Sequence, residues 1–302
     1  MLLLEIIYFI IFLLCLKYFK IFQIGSLPKW LVPIGFSFKV LIAIVFLSIY
    51  LHPNTNNNVA SDTMRFMDES KILNNVFYKS PKDYFSLLFG LQEYPELIHK
   101  YLNSTFLWDA GSYTLVNDSR NIIRLNSILH FISFGSPFIH SLFICLIGIF
   151  STKQLYLSFE RFTLADKKLL FFILLLIPSV IFWTSGILKE PFLFLGVALL
   201  VRALLVPDPL KKKLIISLIS LLLLLSFKPY NLICLLPSLI FAFYSTAFFK
   251  TSYFKPIIAT IASIILLLIA FPQQRNKAVK YLSRKQLDFD NVGKGGVYTS
   301  YN

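Results

Sequence analysis

The chain has 302 residues, of which 57% are hydrophobic and only 15% charged, and its formal net charge is +14. A soluble globular protein carries about 25% charged and about 45–50% apolar residues, so this composition excludes a water-soluble enzyme, a disordered chain and a soluble nucleic-acid-binding protein. The sequence therefore predicts an all-α, polytopic integral membrane helix bundle whose solvent is largely lipid.

Eight apolar segments are candidate transmembrane helices, since a helix needs about 20 apolar residues, with a usual range of about 17–25, to cross the bilayer core. The first lacks the basic n-region and cleavage site of a signal peptide and is counted as a span. The predicted bundle covers residues 1–272, with an outer loop over 52–126, and a polar tail follows over 273–302. The segments lie near residues 2–16, 30–51, 127–150, 169–188, 191–207, 214–227, 231–249 and 256–272.

Basic residues concentrate in every second short loop. By the positive-inside rule these loops face the cytoplasm, so both termini, the long loop and the tail are expected outside. The basic residues concerned are Lys17, Lys20, Lys29, Lys153, Arg161, Lys167, Lys168, Lys211, Lys212, Lys213, Lys250 and Lys255.

The long outer loop contains a predicted helix that begins after Ser61, a good N-cap residue. Asp62, Arg65 and Glu69 follow at i, i+3 and i+7 and are expected on one face. This pattern fits a solvated helix start with an intrahelical ion pair. It also fits a carboxylate held at the membrane surface as a general base. The aromatic-rich stretch over 76–116 predicts short helices lying in the membrane interface.

Polar residues recur along the third predicted span at spacings of four and three, which places them on one helical face. They are expected to face the protein interior, because polar side chains avoid lipid. The stripe serves either interhelical hydrogen bonding or a polar groove that descends from the outer surface. Gly135-Ser136-Pro137 predicts a kink midway. The stripe consists of Asn126, His130, Ser133, Pro137 and His140, preceded by Arg120 and Arg124 one turn apart.

Two tight hairpins on the predicted outer face each present one lysine. The first offers the Thr184 hydroxyl followed by Lys189 and Glu190, and the second contains Lys228 and Tyr230. A lysine beside exposed amide groups can bind a phosphate, although an interfacial salt bridge and a simple turn fit the same residues. Two one-lysine hairpins on one face favour a shared phosphate site.

Two basic residues lie inside predicted spans. Arg202 is close to a cytoplasmic end and is expected to snorkel to the interface. Lys39 is expected to pair inside the bundle. The sequence contains no Walker A, HExxH, GxSxG or CxxC motif, and its histidines lack metal-ligand spacing. It predicts no cofactor and no metal ligands, and it leaves a divalent cation open.

The hairpin Pro178 to Glu190, the early acidic residue Asp62 and Lys228-Pro229-Tyr230 resemble the polyprenyl-phosphate-dependent (GT-C-like) membrane glycosyltransferases and the envelope polysaccharide polymerases. The resemblance implies glycosyl transfer from a polyprenyl-phosphate-linked sugar on the outer face of a bacterial inner (plasma) membrane. It implies that Asp62 is the catalytic base. The substrate-binding residues that it implies, with the phosphate contacts among them, are Lys189, Glu190, Lys228, Tyr230, Arg120, Arg124 and His130.

Two other classes of function remain open from the sequence. The polar stripe fits a transporter or flippase for a polar solute or a lipid-linked saccharide. A noncatalytic membrane subunit of an envelope assembly is the third class. The expected partners are the lipid bilayer and the lipid-linked sugar, without nucleic acid.

Overall fold

The structure is a computed structural model. It describes residues 1–51, 61–90, 95–105, 107–108, 118–164, 166–247 and 254–273, together with 275–277, 279–280, 282–283 and 286. Most of the predicted tail and part of the outer loop lie outside the described residues.

All regular secondary structure in the described residues is α-helical, as the composition predicts. The chain divides into two compact units, residues 1–228 and 229–302. The helices are α1 Leu2–Tyr18, α2 Leu31–Tyr50, α3 Asp62–Lys79, α4 Pro81–Phe89, α5 Pro95–Tyr101, α6 Asp118–Ser133, α7 Pro137–Phe159, α8 Lys167–Leu175, α9 Pro178–Trp183, α10 Glu190–Leu205, α11 Leu210–Phe227, α12 Tyr230–Ala247 and α13 Phe254–Ala270.

The first unit has two main apolar cores. One lies between α1, α2, α7 and α8 and contains Phe12, Phe36 and Phe171. The other lies between α3, α4, α5, α6 and the ends of α2 and α11, around Phe66 and Ile122. Large apolar side chains from several helices meet in each core, which is the arrangement that stabilises helix bundles.

Side chains cap two helices of the outer loop. Ser61 accepts a hydrogen bond from the backbone N–H of Met64, which confirms Ser61 as the N-cap of α3. Ser80 caps α4 by accepting from the N–H of Asp83. Tyr101 of α5 donates to Asp83 at 2.9 Å, and this hydrogen bond holds the pKa of the carboxyl below its usual range.

Two of the described helices, α2 and α7, are long and apolar enough to cross a membrane. Large apolar side chains also cover much of the surface, for example Ile10 of α1 at 49% exposure and Leu218 of α11 at 59%. Contiguous exposed apolar surface of this kind marks contact with lipid or with another protein.

The third predicted span is two helices instead of one kinked helix. α6 ends at Ser133, α7 begins at Pro137, and Ser136 caps α7 by accepting from the N–H of Ile139. Phe134 and Gly135 between them have φ of 53° and 82°. Two successive residues in the left-handed region cannot continue a right-handed helix, so the segment breaks where a kink was predicted.

The fourth predicted span is also interrupted, and its hairpin is buried instead of exposed. Pro178 starts a separate short helix, α9, after α8 ends at Leu175. Thr184 and Ser185 are then only 3% and 0% exposed, and their hydroxyls donate back to the carbonyls of the preceding turn. The prediction that this hairpin exposes free hydroxyl groups is therefore wrong.

The two intrahelical cations have protein partners. Lys39 Nζ donates to Thr184 Oγ1 at 2.5 Å, which confirms that Lys39 pairs inside the bundle. Arg202 donates to Gln154 and forms an ion pair with Asp208 at 3.2 Å. Its side chain is 14% exposed, and Asp208 lies in the loop just after α10, so Arg202 reaches the end of its helix and forms a partly buried ion pair there; its snorkelling to the interface stays a prediction.

The second unit contains α12 and α13 among its described residues. Tyr244 of α12 and Ser263 of α13 share a hydrogen bond of 2.7 Å. Pro237 lies inside α12, and Tyr230 is the first residue of that helix.

Candidate functional site

A line of buried polar side chains follows α6 from its first turn to its end. Asn126, His130 and Ser133, with His140 of α7, are each 8% exposed or less. This confirms that the stripe predicted from the sequence spacing faces the protein interior. The other polar side chains of α6 that are buried are Arg120, Arg124 and Ser127.

The first hairpin lysine meets the start of this line. Lys189 Nζ donates to Ser119 Oγ at 3.1 Å and lies 5.7 Å from the centroid of the Phe66 ring. Lys189 therefore contacts both α6 and α3. The contact with Ser119 had no sequence signal, because the two residues are 70 positions apart.

The two hairpins meet through an ion pair. Lys228 Nζ lies 2.7 Å from Glu190 Oε1. Asn121 Nδ2 donates to the Ser226 carbonyl at 2.8 Å, which attaches the end of α11 to α6. Lys189, Glu190 and Lys228 thus lie at one end of the first unit, together with the start of α6.

Asp62 is exposed in the first turn of α3. Phe66, whose ring Lys189 contacts, lies four residues further along α3. With a helical rise of about 1.5 Å per residue, Asp62 lies about 6 Å from Phe66 along the helix axis. Asp62 and Lys189 therefore share one end of α3. The prediction that Asp62, Arg65 and Glu69 form one solvated face is wrong, because Glu69 is only 5% exposed.

Glu69 and Arg120 bind the backbone N–H and the backbone carbonyl of the same residue, Leu107. Leu107 N–H donates to both carboxylate oxygens of Glu69, at 3.1 and 3.3 Å, and Arg120 Nε donates to the Leu107 carbonyl at 3.3 Å. A buried acid on α3 and a buried base on α6 thus fix the backbone at Leu107. Sequence reasoning missed this role of Glu69.

Trp108 follows, and its ring packs against the two arginines of α6. The guanidinium carbons of Arg120 and Arg124 lie 5.0 and 5.3 Å from the centroid of its ring, within cation–π range. Arg124 Nε also donates to the Leu87 carbonyl at 3.0 Å. The sequence indicated only that Trp108 belongs to an aromatic-rich stretch.

The rings of the two histidines of the stripe contact each other at a tilt of 59°, with centroids 4.7 Å apart. His140 Nδ1 lies 2.6 Å from Asn126 Oδ1, and its Nε2 lies 2.7 Å from Ser133 Oγ. His130 Nε2 lies 2.9 Å from Ser70 Oγ, and Ser70 donates its hydrogen to the Met67 carbonyl. Asn126 Oδ1 can only accept, so His140 donates to it from Nδ1.

An apolar groove of about 560 Å³ lies between α4, α6, α10 and α11. Its walls include Leu88, Phe192 and Leu222, and its polar groups include Arg124 and Asn121. A groove with apolar walls and a cation suits an amphiphilic anion, because the apolar part and the charge of such a ligand each find a matching surface.

Seven of the eight predicted site residues belong to the first unit; within it Lys228 pairs with Glu190, and Arg120 and Arg124 both contact Trp108. Tyr230 belongs to the second unit. Among the described residues, no group of three or more His, Cys, Asp or Glu side chains could hold a metal ion. Comparison of the chain with protein families, with curated proteins and with solved structures found no match.

Proposed function

We propose that this chain is a multi-pass protein of a bacterial inner membrane that transfers a sugar from a polyprenyl-phosphate carrier to a hydroxyl acceptor at the outer face, in envelope polysaccharide synthesis. The observation that carries the proposal is the apolar groove lined by Arg124, next to the end of the first unit where Lys189 and Lys228 lie. A polyprenyl-phosphate-linked sugar combines a long apolar chain with an anionic phosphate.

The chemistry assigns separate tasks to the two kinds of charge. Asp62 accepts the proton of the acceptor hydroxyl, whose oxygen forms a bond to the anomeric carbon of the sugar. The bond from that carbon to the phosphate oxygen breaks, and its electron pair leaves with the lipid phosphate. Lys189 and Lys228 stabilise the negative charge that develops on this leaving group.

The proposal is tested by replacing the base without changing its size. Asp62→Asn is expected to lower turnover at least about 100-fold, since a general base contributes about 10²- to 10⁴-fold, while donor affinity stays within about twofold. Transfer of labelled sugar is measured on protein in nanodiscs, and donor binding is measured separately.

Asp68→Asn is the matched control, because Asp68 is also exposed on α3 but lies almost two turns further along. Its turnover should equal that of the wild type. Full activity of Asp62→Asn would contradict the assignment of the base, and wild-type protein without transfer to any hydroxyl acceptor would contradict the function.

The second candidate function is a transporter or flippase for a lipid-linked saccharide or a polar solute. It is favoured by the buried polar line from Asn126 to His140, because these polar residues extend further into the protein than a site at the surface requires. His140→Leu should then abolish movement of a fluorescent lipid-linked saccharide between leaflets of reconstituted vesicles. A purely transferring enzyme would show no such movement in the wild type.

A further inference from the structure

A second apolar groove, here called the α1–α2 groove, lies between α1, α2 and the start of α7 and has a volume of about 590 Å³. Its walls include Phe9 and Phe138. Leu41 and Ile44 also line it and are 59% and 48% exposed, so the groove opens sideways at the surface of the bundle. Because α2 is long and apolar enough to cross a membrane, lipid is what this opening meets in a bilayer.

Glu5 is the charged side chain among the described residues that line this groove. Ser37 also lines it, but its hydroxyl already donates to the Pro33 carbonyl of its own helix. Ser136 Oγ donates to Glu5 Oε1 at 2.6 Å. The described part of the chain provides no hydrogen-bond partner for Oε2, and Glu5 is partly exposed. Oε2 is therefore open to a ligand that enters the groove.

Two hydrogen bonds fix this carboxylate against the break between α6 and α7. Ser136 Oγ accepts from the Ile139 N–H, so its own hydrogen is directed to Glu5. Tyr8, one turn further along α1, donates to the Ile132 carbonyl at 2.7 Å. A carboxylate that is already oriented loses little side-chain entropy when it binds, which favours its use in recognition.

The position of Glu5 determines the charge of a suitable ligand. Glu5 lies in the first turn of α1, about 20 Å along the axis from Tyr18 at a rise of about 1.5 Å per residue, and therefore close to the outer end of the helix. A carboxylate at the edge of the hydrocarbon is costly unless an opposite charge offsets it. None of the ion pairs between described residues includes Glu5, so a cationic ligand would complete the site.

We propose that the α1–α2 groove binds a membrane lipid whose headgroup carries a primary ammonium group. The ammonium lies on Glu5 and donates to Oε2, and an acyl chain lies along Phe9, Leu41 and Ile44. The ligand is thus matched in charge at one point and in polarity along the rest of its length. This site is separate from the groove beside Arg124, which α4, α6, α10 and α11 line.

The same arrangement selects between headgroups. A primary ammonium has three N–H donors, whereas a quaternary ammonium has the charge but no N–H to offer Oε2. An anionic headgroup meets a like charge. The site therefore discriminates against both through an unpaired or repelled group.

The test compares phosphatidylethanolamine, phosphatidylcholine and phosphatidylglycerol with identical acyl chains. Binding of the first lipid to the full chain in detergent is measured by native mass spectrometry. The wild type is expected to bind phosphatidylethanolamine about tenfold more tightly than the other two, the effect typical of one hydrogen bond to a charged group. Glu5→Gln keeps the length of the side chain and an acceptor for Ser136, and it should abolish this preference.

Glu160→Gln is the matched control. Glu160 is also partly exposed and also accepts from a serine hydroxyl, that of Ser26 at 2.7 Å, but it does not line the groove. Its variant should keep the wild-type preference. A second series leaves the protein unchanged: stepwise N-methylation of the ethanolamine headgroup keeps the charge, and affinity should fall most at the step that removes the last N–H.

Equal affinity of the wild type for the three lipids overturns the site, and so does a preference that Glu5→Gln retains. A uniform loss of affinity for all three lipids in Glu5→Gln also overturns headgroup recognition, because it shows that the acid only supports the packing of α1. If Glu5→Gln unfolds, the methylation series on the wild type decides. The proposal does not rest on sugar transfer, so each of the two can fail while the other stands.

Discussion

At the scale of single residues, Lys39 near the middle of α2 is one of the most buried charged groups in the described part of the chain. It is 1% exposed, and its ammonium donates to the Thr184 hydroxyl. A Cβ atom added to Gly148 of α7 would lie 2.6 Å from Cε of Lys39 and 2.8 Å from its Nζ. The glycine therefore provides the space that the lysine occupies, and a buried polar contact joins α2 to the hairpin before α10.

Gly148→Ala is expected to destabilise the first unit by about 1–3 kcal/mol, because overpacking a close-packed interior displaces side chains or backbone. Lys39→Ala removes the obstructing side chain, so Gly148→Ala should cost much less in the Lys39→Ala background. Thermal unfolding of the four proteins in detergent gives this coupling energy.

Gly25→Ala is the control for this cycle, since nothing lies within 4 Å of the added Cβ at Gly25. It should unfold at the wild-type temperature. Equal costs of Gly148→Ala with and without Lys39 would contradict the direct contact.

At the scale of elements, the break between α6 and α7 decides how the polar line is built. Ser133 Oγ accepts from the Gly135 N–H at 3.2 Å and meets His140 Nε2. Ser136 donates to Glu5 of α1 at 2.6 Å. The break therefore has hydrogen bonds on both sides, and it turns α7 so that the ring of His140 contacts that of His130.

Gly135→Ala is expected to lower the stability of the first unit by about 1 kcal/mol, because the φ of 82° at Gly135 suits glycine and strains other residues. Gly135→Asn should fall between the wild type and the alanine variant, since asparagine adopts the left-handed region more easily. No neighbouring atom lies within 4 Å of a Cβ at this position, so the order of the three melting temperatures reports the backbone alone. An alanine variant as stable as the wild type would contradict the left-handed conformation.

The elements also show what the sequence can and cannot predict. Some features depend only on residues that are close together in the sequence: the length of the apolar segments, the Ser61 cap, and the spacing of Asn126, His130 and His140. The helices and the buried stripe were predicted from these features. The burial of Thr184 and the position of Trp108 depend on partners far along the chain, namely Lys39 and Glu69. Pairings between distant residues are set by tertiary packing, and local periodicity carries no information about them.

At the scale of the whole molecule, the first unit separates its charged groups between two ends. Lys153 Nζ donates to the Ile21 carbonyl, and Arg202 donates to Gln154, the next residue of α7. The loop after α1, the end of α7 and the end of α10 are therefore together. At the other end of α10, Lys189 and Glu190 meet the start of α6 and Lys228.

This separation agrees with the alternation of basic loops, which predicts that the end with Lys153 and Arg202 faces the cytoplasm. Cysteines introduced one at a time into a protein without its native cysteines test the orientation. Lys82→Cys, exposed on α4, should react with a membrane-impermeant maleimide in intact cells, and Lys212→Cys should react only after the membrane is permeabilised. Lys212 is a fair probe because its side chain is 50% exposed.

Labelling of Ser300→Cys from outside would place the C-terminus there too and support an even number of spans, eight in the proposed topology. Reaction of Lys212→Cys in intact cells, with protection of Lys82→Cys, would reverse the orientation and put the groove, Asp62 and Lys189 on the cytoplasmic side, where a sugar carrier facing outward could not reach them.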